Sequence, residues 1–226
     1  MTKYYLETHC HTKETSRCGK VPAERVVELY IKSGYSAIVI TDHLNAHYHG
    51  NDSEKWADRI NSFLMGYRAA KKAAGDKINI LLGMELTFEK SKNDYLIYGL
   101  TEKLIFKYNN ENINFRQMGI KTFSSFAKDH GLMVLQAHPF RNNMTIVRSE
   151  YLDGIEAYNG NPRHDSRNDI AELWAKKFNL TAIGGSDFHQ VPDLARGGLI
   201  TEQPIKTIDA LVSTLKKGNY KLYKPV

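Results

Sequence analysis

Apolar positions along this chain switch repeatedly between a period of two and a period near 3.6, and each switch marks an element. The segment from Tyr4 to Thr12 reads as a first strand, followed by a polar loop over 13–20. Pro22 opens a helix with Val26, Val27, Tyr30 and Ile31 at helical spacing, and Gly34 closes it. Ser36 to Ile40 is a continuous apolar run, as a strand buried on both faces requires. A long helix is expected from about Ser53 to Ala74, with Trp56, Ile60, Phe63, Leu64 and Tyr67 on its inner stripe. Strands follow at Ile78 to Leu82 and Tyr95 to Tyr98, while Lys103 to Asn114 carries no readable pattern. A helix from roughly Lys121 to Asp129 leads into strands at Leu132 to Ala137 and Ile155 to Tyr158. A helix from about Asp165 to Phe178, a strand from Thr181 to Gly185, a pairing segment around Leu199-Ile200, a helix from Ile208 to Lys217 and a short tail at Tyr220 to Tyr223 complete the chain. Alternating strands and helices with no repeat and no linker imply one α/β domain over residues 1–226, built on a parallel sheet covered by helices.

Composition narrows the class without choosing a function. A chain of 226 residues with 42% hydrophobic and 25% charged residues suits one soluble globular core, and this length is ordinary for an α/β barrel. The polar N-terminus has no secretory apolar region and no run approaches transmembrane length, so the cytoplasm is the expected compartment and no membrane partner is implied. Two cysteines, Cys10 and Cys18, do not make a disulfide framework. A formal charge of +6 fits an anionic substrate. The lysines are scattered and are not interleaved with aromatics, so support for a nucleic-acid partner is weak. Oligomeric state is not legible.

The chemistry lies where the strands stop. In an extended segment His9 and His11 project to one side and Cys10 to the other, although for a lone His-x-His chance is the better explanation. What changes that judgement is position: His9 and His11, His43, Glu85, His138, and Asp187 with His189 all fall at the ends of successive strands. Barrel enzymes build their active sites at that end. Imidazoles and carboxylates together suit Zn, Mn or Fe, with one to three divalent ions expected. A glutamate between two metals has an oxygen for each, and paired metals serve in-line displacement at phosphorus, so phosphate-ester hydrolysis is the reaction this set would best serve.

The ordered motifs His-x-His, Thr-Asp-His, Gly-x-Glu, His-Pro and Gly-Ser-Asp-x-His, spanning Tyr4 to about Leu199, resemble the PHP (polymerase and histidinol phosphatase) family of metal-dependent phosphoesterases. The resemblance implies a distorted (β/α)7 TIM-like barrel. It also implies that His9, His11, Glu85 and Asp187 hold a first metal, that Glu85 bridges to a second with His138, and that His43 and His189 serve a third metal or contact the phosphate. His43, His189 and Asp187 are accordingly the catalytic candidates.

The sequence departs from that pattern in two places. Members with three metals usually carry a further histidine soon after the first pair, where this chain has Ser16, Arg17 and Cys18. Arg17 is read equally as a grip on a substrate phosphate or as a solvated loop arginine. Members also often place a histidine between Glu85 and His138. Here Asp94 is the candidate substitute ligand, its alternative being a turn residue, and His130 sits at a helix end. His164 and Arg196 are candidate phosphate contacts, with Arg163 beside His164, and His47 and His49 are candidate loop groups over the mouth. Glu156 is read as structural. The expected activity is hydrolysis of a phosphorylated small molecule by metal-bound hydroxide. The alternatives are a nuclease or nucleotide phosphatase acting on nucleic-acid ends, and a metal-binding accessory module without turnover.

Overall fold

The computed structural model describes residues 2–44, 56–111 and 113–225, and His47 and His49 lie outside them. Among the described residues the chain forms β1 (Tyr4–Cys10), α1 (Ala23–Lys32), β2 (Tyr35–Ile40), β3 (His43–Leu44), α2 (Trp56–Ala74), β4 (Asn79–Leu82), β5 (Met84–Thr87) and β6 (Asp94–Tyr98). It continues through α3 (Glu102–Asn110), α4 (Phe115–Asp129), β7 (Met133–Gln136), β8 (Gly154–Asn159), α5 (Asn168–Lys177), β9 (Thr181–Gly185), β10 (Gly198–Thr201), α6 (Ile208–Lys217) and β11 (Lys221–Tyr223). The result is a mixed α/β fold with two sheets, ordered β11-β10-β1-β2-β4 and β3-β5-β6-β7-β8-β9.

The two sheets meet along the chain itself. β2 lies in the first sheet and β3, two residues later, in the second; β4 and β5 are likewise separated by Gly83 alone. On the other side, Cys10 at the end of β1 forms a parallel bridge to Phe188 just after β9. Strand alternation then produces two apolar layers. Leu6, Ala37, Val39, Leu81, Leu96, Met133, Leu135 and Ile183 make an interior cluster drawn from both sheets, which α6 joins through Leu211 and Leu215. The opposite face of the same strands, including Ile38, Ile40, Tyr95 and Ile97, packs with helix residues such as Val26, Ile60 and Phe63. Burial on both faces is why β2 carries no polar alternation.

Sheet direction departs from the all-parallel expectation. β1 and β10 are antiparallel, as are β10 and β11, and β6 runs antiparallel to both β5 and β7. Helix boundaries also shift. The unreadable stretch contains α3, and α4 starts at Phe115, ahead of the expected Lys121, because its first turn is set off by Gly119, whose φ of 70° breaks the helical pattern.

α2 presses closely on the loop that carries the first histidines. A Cβ at Gly66 would lie 1.9 Å from Thr12 Oγ1 and 2.3 Å from Asp42 Oδ2. Those two groups are hydrogen-bonded to each other at 2.6 Å, so neither can give way freely. Gly66→Ala is therefore expected to destabilise the fold by about 1–3 kcal/mol, seen as a lower urea midpoint with an unchanged m-value.

Candidate metal centre

At the junction of the two sheets, one carboxylate sits among four imidazoles. Glu85 Oε2 lies 3.1 Å from His11 Nε2, 3.2 Å from His43 Nδ1 and 3.4 Å from His9 Nε2, while its other oxygen lies 3.2 Å from His138 Nε2. Asp187 Oδ1 completes the group at 3.4 Å from His9 Nε2 and 3.5 Å from His11 Nε2. His9, His11, Glu85 and Asp187 are buried, and the Nε2 atoms of the first two are 3.1 Å apart. β1 carries His9 and its extended continuation carries His11 on the same side, while Cys10 between them packs into the apolar core. Nothing larger than hydrogen fits at Gly185, where a Cβ would come within 2.6 Å of His9 Cβ, so β9 can lie directly against His9.

The outer nitrogens of these rings are held by the protein. His9 Nδ1 is 2.9 Å from Glu156 Oε1, and the second oxygen of Glu156 accepts from the backbone N–H of His138 at 3.0 Å. The structural reading of Glu156 thus acquires a definite content: it holds the His9 ring and the backbone of His138 at once. His11 Nδ1 faces Ser16 Oγ at 3.4 Å, and Ser16 donates to Asp42 at 2.7 Å. His189 donates from Nδ1 to the Asp187 carbonyl at 2.8 Å, leaving Nε2 for a ligand. Two of the candidate ligands have a positive φ, His138 at 29° and Asp187 at 49°.

Asp94 reaches the cluster by an unexpected route. It stands at the start of its strand, but β6 is reversed relative to β5, so its start lies at the end where the other strands stop. An oxygen of Asp94 falls within 4.8 Å of ligand atoms from His43 and Glu85. Three further candidate sets of the same span are His9 with Glu85 and His138, His9 with His11 and Asp187, and His11 with Cys18, His43 and His189.

The profile of the PHP domain matches residues 7–222. This chain belongs to the PHP family. No curated protein matches it. Among solved structures, PsfC of Pseudomonas syringae PB-5123 is similar over 100% of this chain and 93% of its own, at 16% identity and a TM-score of 0.68. A protein of Bifidobacterium adolescentis assigned as a metal-dependent phosphoesterase aligns over 94% of this chain and 96% of its own, with 17% identity and a TM-score of 0.57. An amidohydrolase from Chromobacterium violaceum, with bound sulfate and no metal, covers 98% of each chain at 14% identity and a TM-score of 0.55. At these identities the likeness is one of fold.

A divalent metal is implied by the PHP family, and the donor set fits one. Glu85 Oε2 is buried and accepts no well-directed hydrogen bond among the described residues, although three imidazole nitrogens lie 3.1–3.4 Å from it. Lone pairs converging on a common point need a cation. In the metal-free protein, protons supply that charge. Burial opposes protonation of His11, but Asp187 and Glu85 outweigh it and lift the imidazole to about 10; His9 is raised by Glu156, Asp187 and Glu85 against the same burial. Glu85 and Asp187 are held well below the usual carboxylate range, despite burial, by the histidines around them. Burial and neighbouring cationic rings push His43 and His189 down to about 3.

Because a ligating imidazole must be neutral, metal has to displace the proton on His11. Zinc or manganese binding at pH 7 should release protons, and affinity should rise with pH up to about 10, by about tenfold per unit for each proton displaced. Calorimetric titrations in buffers of different ionisation enthalpy measure the proton count; a count of zero would contradict this account.

The remaining sequence candidates are placed around the PHP centre and not in it. Arg17 is exposed on its loop. Arg196 is exposed, its Nε bonded to the Pro192 carbonyl at 3.0 Å, while its backbone N–H braces Ser186. His164 is exposed at the rim, lowered by partial burial and by Arg141 and Arg163. Arg163 pairs with buried Asp193 at 2.8 Å. His130 donates within its helix end to the Phe126 carbonyl and stacks on that ring at 4.3 Å.

Two further residues come to the centre without having been expected there. Arg141 lies 2.6 Å from Asp187 Oδ2 and 3.2 Å from Asn159 Oδ1. Its signal was its place three residues beyond a strand-end histidine. Cys18 is one of a cysteine pair for which the sequence left a metal-binding or redox role open, and nothing else in its polar loop set it apart.

Proposed function

We propose that this PHP protein is a phosphoesterase that hydrolyses a phosphorylated small molecule, a monoester or diester, with one to three Zn, Mn or Fe ions. The observation that carries the reading is the division of Glu85, one oxygen toward His9, His11 and His43 and the other toward His138. That is how a bridging carboxylate is disposed between two cations. His9, His11, Glu85 and Asp187 would hold the first, and Glu85 with His138 and Asp94 the second. Bound divalent ions supply charge neutralisation on phosphoryl oxygens and activation of water at neutral pH. The two sheets are read as one distorted barrel, supported by the interior cluster they share and the bridge from Cys10 to Phe188.

The chain's own residues supply the rest. Arg141, buried to all but 15% of its side chain, presents its guanidinium beside Asp187, where a phosphoryl oxygen can take up its remaining donors. Arg163 at the rim, paired with Asp193, adds positive charge for an anionic substrate, whereas His164, lowered by burial and by Arg141 and Arg163, offers it a hydrogen bond. His43 and His189, pushed down to about 3, are neutral near pH 7 and so are ready to serve as ligands without first losing a proton. The name of the Bifidobacterium neighbour accords with this activity.

The test is turnover of a panel containing aryl phosphate mono- and diesters, nucleoside bisphosphates, histidinol phosphate and short oligonucleotides. Hydrolysis should disappear with chelation and return with manganese or zinc, and preference for a small ester over oligonucleotide ends separates the two substrate classes. Failure across the panel by protein with a filled metal site would favour the accessory-module reading.

A further inference from the structure

Glu85 and Asp187 do not exhaust the donors at this end of the fold. His11, Cys18, His43 and His189 each offer a ligand atom, and those four atoms lie within 4.8 Å of one another. This set contains no carboxylate and one sulfur. The rings around it are close, with His11 centred 4.6 Å from His43 and 4.4 Å from His189.

The loop bearing Cys18 is fixed to its partners through the backbone. Ser16 N–H bonds to Thr12 O at 3.0 Å and Gly19 N–H to Ser16 O at 2.9 Å, folding the loop back on itself. Lys20 N–H donates to the carbonyl of His189 at 2.7 Å, tying the cysteine's loop to the histidine's. The backbone N–H of His43 donates to Ser16 Oγ at 3.1 Å. The three elements that carry Cys18, His43 and His189 are thus mutually braced. Neither cysteine is in a disulfide, and Cys10 is committed to the apolar core.

Resting on the metal-centre reading above, we infer that Cys18 is a metal ligand and that Cys18, His43 and His189 form a sulfur-containing position that selects zinc over manganese. His11 lies within reach of it but also serves Asp187 and Glu85. Thiolate is a soft donor that favours zinc-class ions, whereas manganese prefers oxygen. A bound thiol gives up its proton to solvent on coordination, so the site gains a negative charge that an imidazole in the same place would not bring. The position beside Glu85, Asp94 and His138, with two carboxylates, has no such preference. One protein would then carry two positions of different metal taste.

Cobalt(II) titration of the metal-free full-length chain reads this directly, because a sulfur ligand gives a near-ultraviolet charge-transfer band that imidazole and carboxylate do not. The wild type and Cys10→Ser should show the band; Cys18→Ser should lose it and bind one equivalent less zinc, with manganese uptake unchanged. Cys18→His should restore the zinc equivalent without the band, which excludes misfolding as the cause. Cobalt absorption without a sulfur band in the wild type, or equal zinc content in Cys18→Ser, would overturn the role of Cys18 while leaving the centre intact. No visible cobalt spectrum and no bound zinc in any variant would overturn both.

Discussion

Glu85→Gln is expected to lose most of its bound metal and to lower kcat/KM for any phosphoester the protein turns over by at least about a thousandfold. The substitution keeps volume and shape but replaces one of two equivalent oxygens with an N–H₂ donor. Either the side facing His9, His11 and His43, at 3.1–3.4 Å, or the side facing His138, at 3.2 Å, then meets a donor where an anionic acceptor stood. A neutral amide cannot bridge two cations. Metal analysis and steady-state kinetics on the same preparation decide the matter, and a Glu85→Gln protein with full metal content and unimpaired turnover would remove the basis for the proposed function.

The largest effect on folding should come from Glu7→Ala. Glu7 is fully buried and its Oε1 accepts from the backbone N–H groups of Thr8, His9 and Ser186, each at 2.9 Å, while Oε2 accepts from the Tyr30 hydroxyl at 2.7 Å. Alanine strands four buried donors, and the expected loss is about 3–5 kcal/mol of unfolding free energy. Glu7→Gln retains an acceptor for the three amides and should lose only about 1–2 kcal/mol. Equilibrium denaturation of the metal-free proteins measures both, and equal losses would mean that the carboxylate acts through its charge alone. The same residue joins β1 to the loop after β9, so its removal should also weaken metal binding at His9 and Asp187.

The roles of Glu7 and Arg141 were hidden because each acts on a residue distant in the chain, Glu7 on Ser186 and Arg141 on Asp187, and the one local hint was the place of Arg141 three residues after His138. The candidate ligands, which the structure brings together, were legible for the opposite reason. A strand end is a local feature, and His9, His11, His138, Asp187 and His189 each announce one through the apolar run before it. Asp94 reads locally as a turn residue because only the reversed pairing of β6 brings a strand start to the centre. Sheet direction is set by partner choice and not by side-chain period, which is also why an all-parallel arrangement was the natural expectation. α3 was hidden because among its lysines and asparagines only Ile105 and Tyr108 are buried apolar positions, too few to show a period. The division of β4 from β5 was hidden because Gly83 interrupts the apolar run by a single residue while the chain passes from one sheet to the other.

The left-handed backbone of Asp187 bears on how such a chain can change over evolutionary time. Among non-glycine residues that conformation suits aspartate and asparagine best, so the substitution the backbone tolerates most easily is also the one that removes the charge of a candidate ligand. On the proposed function such a replacement would end catalysis while leaving the backbone conformation in place. A lineage can therefore pass from enzyme to non-hydrolytic binding protein by one isosteric replacement, retaining a scaffold on which a different task can be selected.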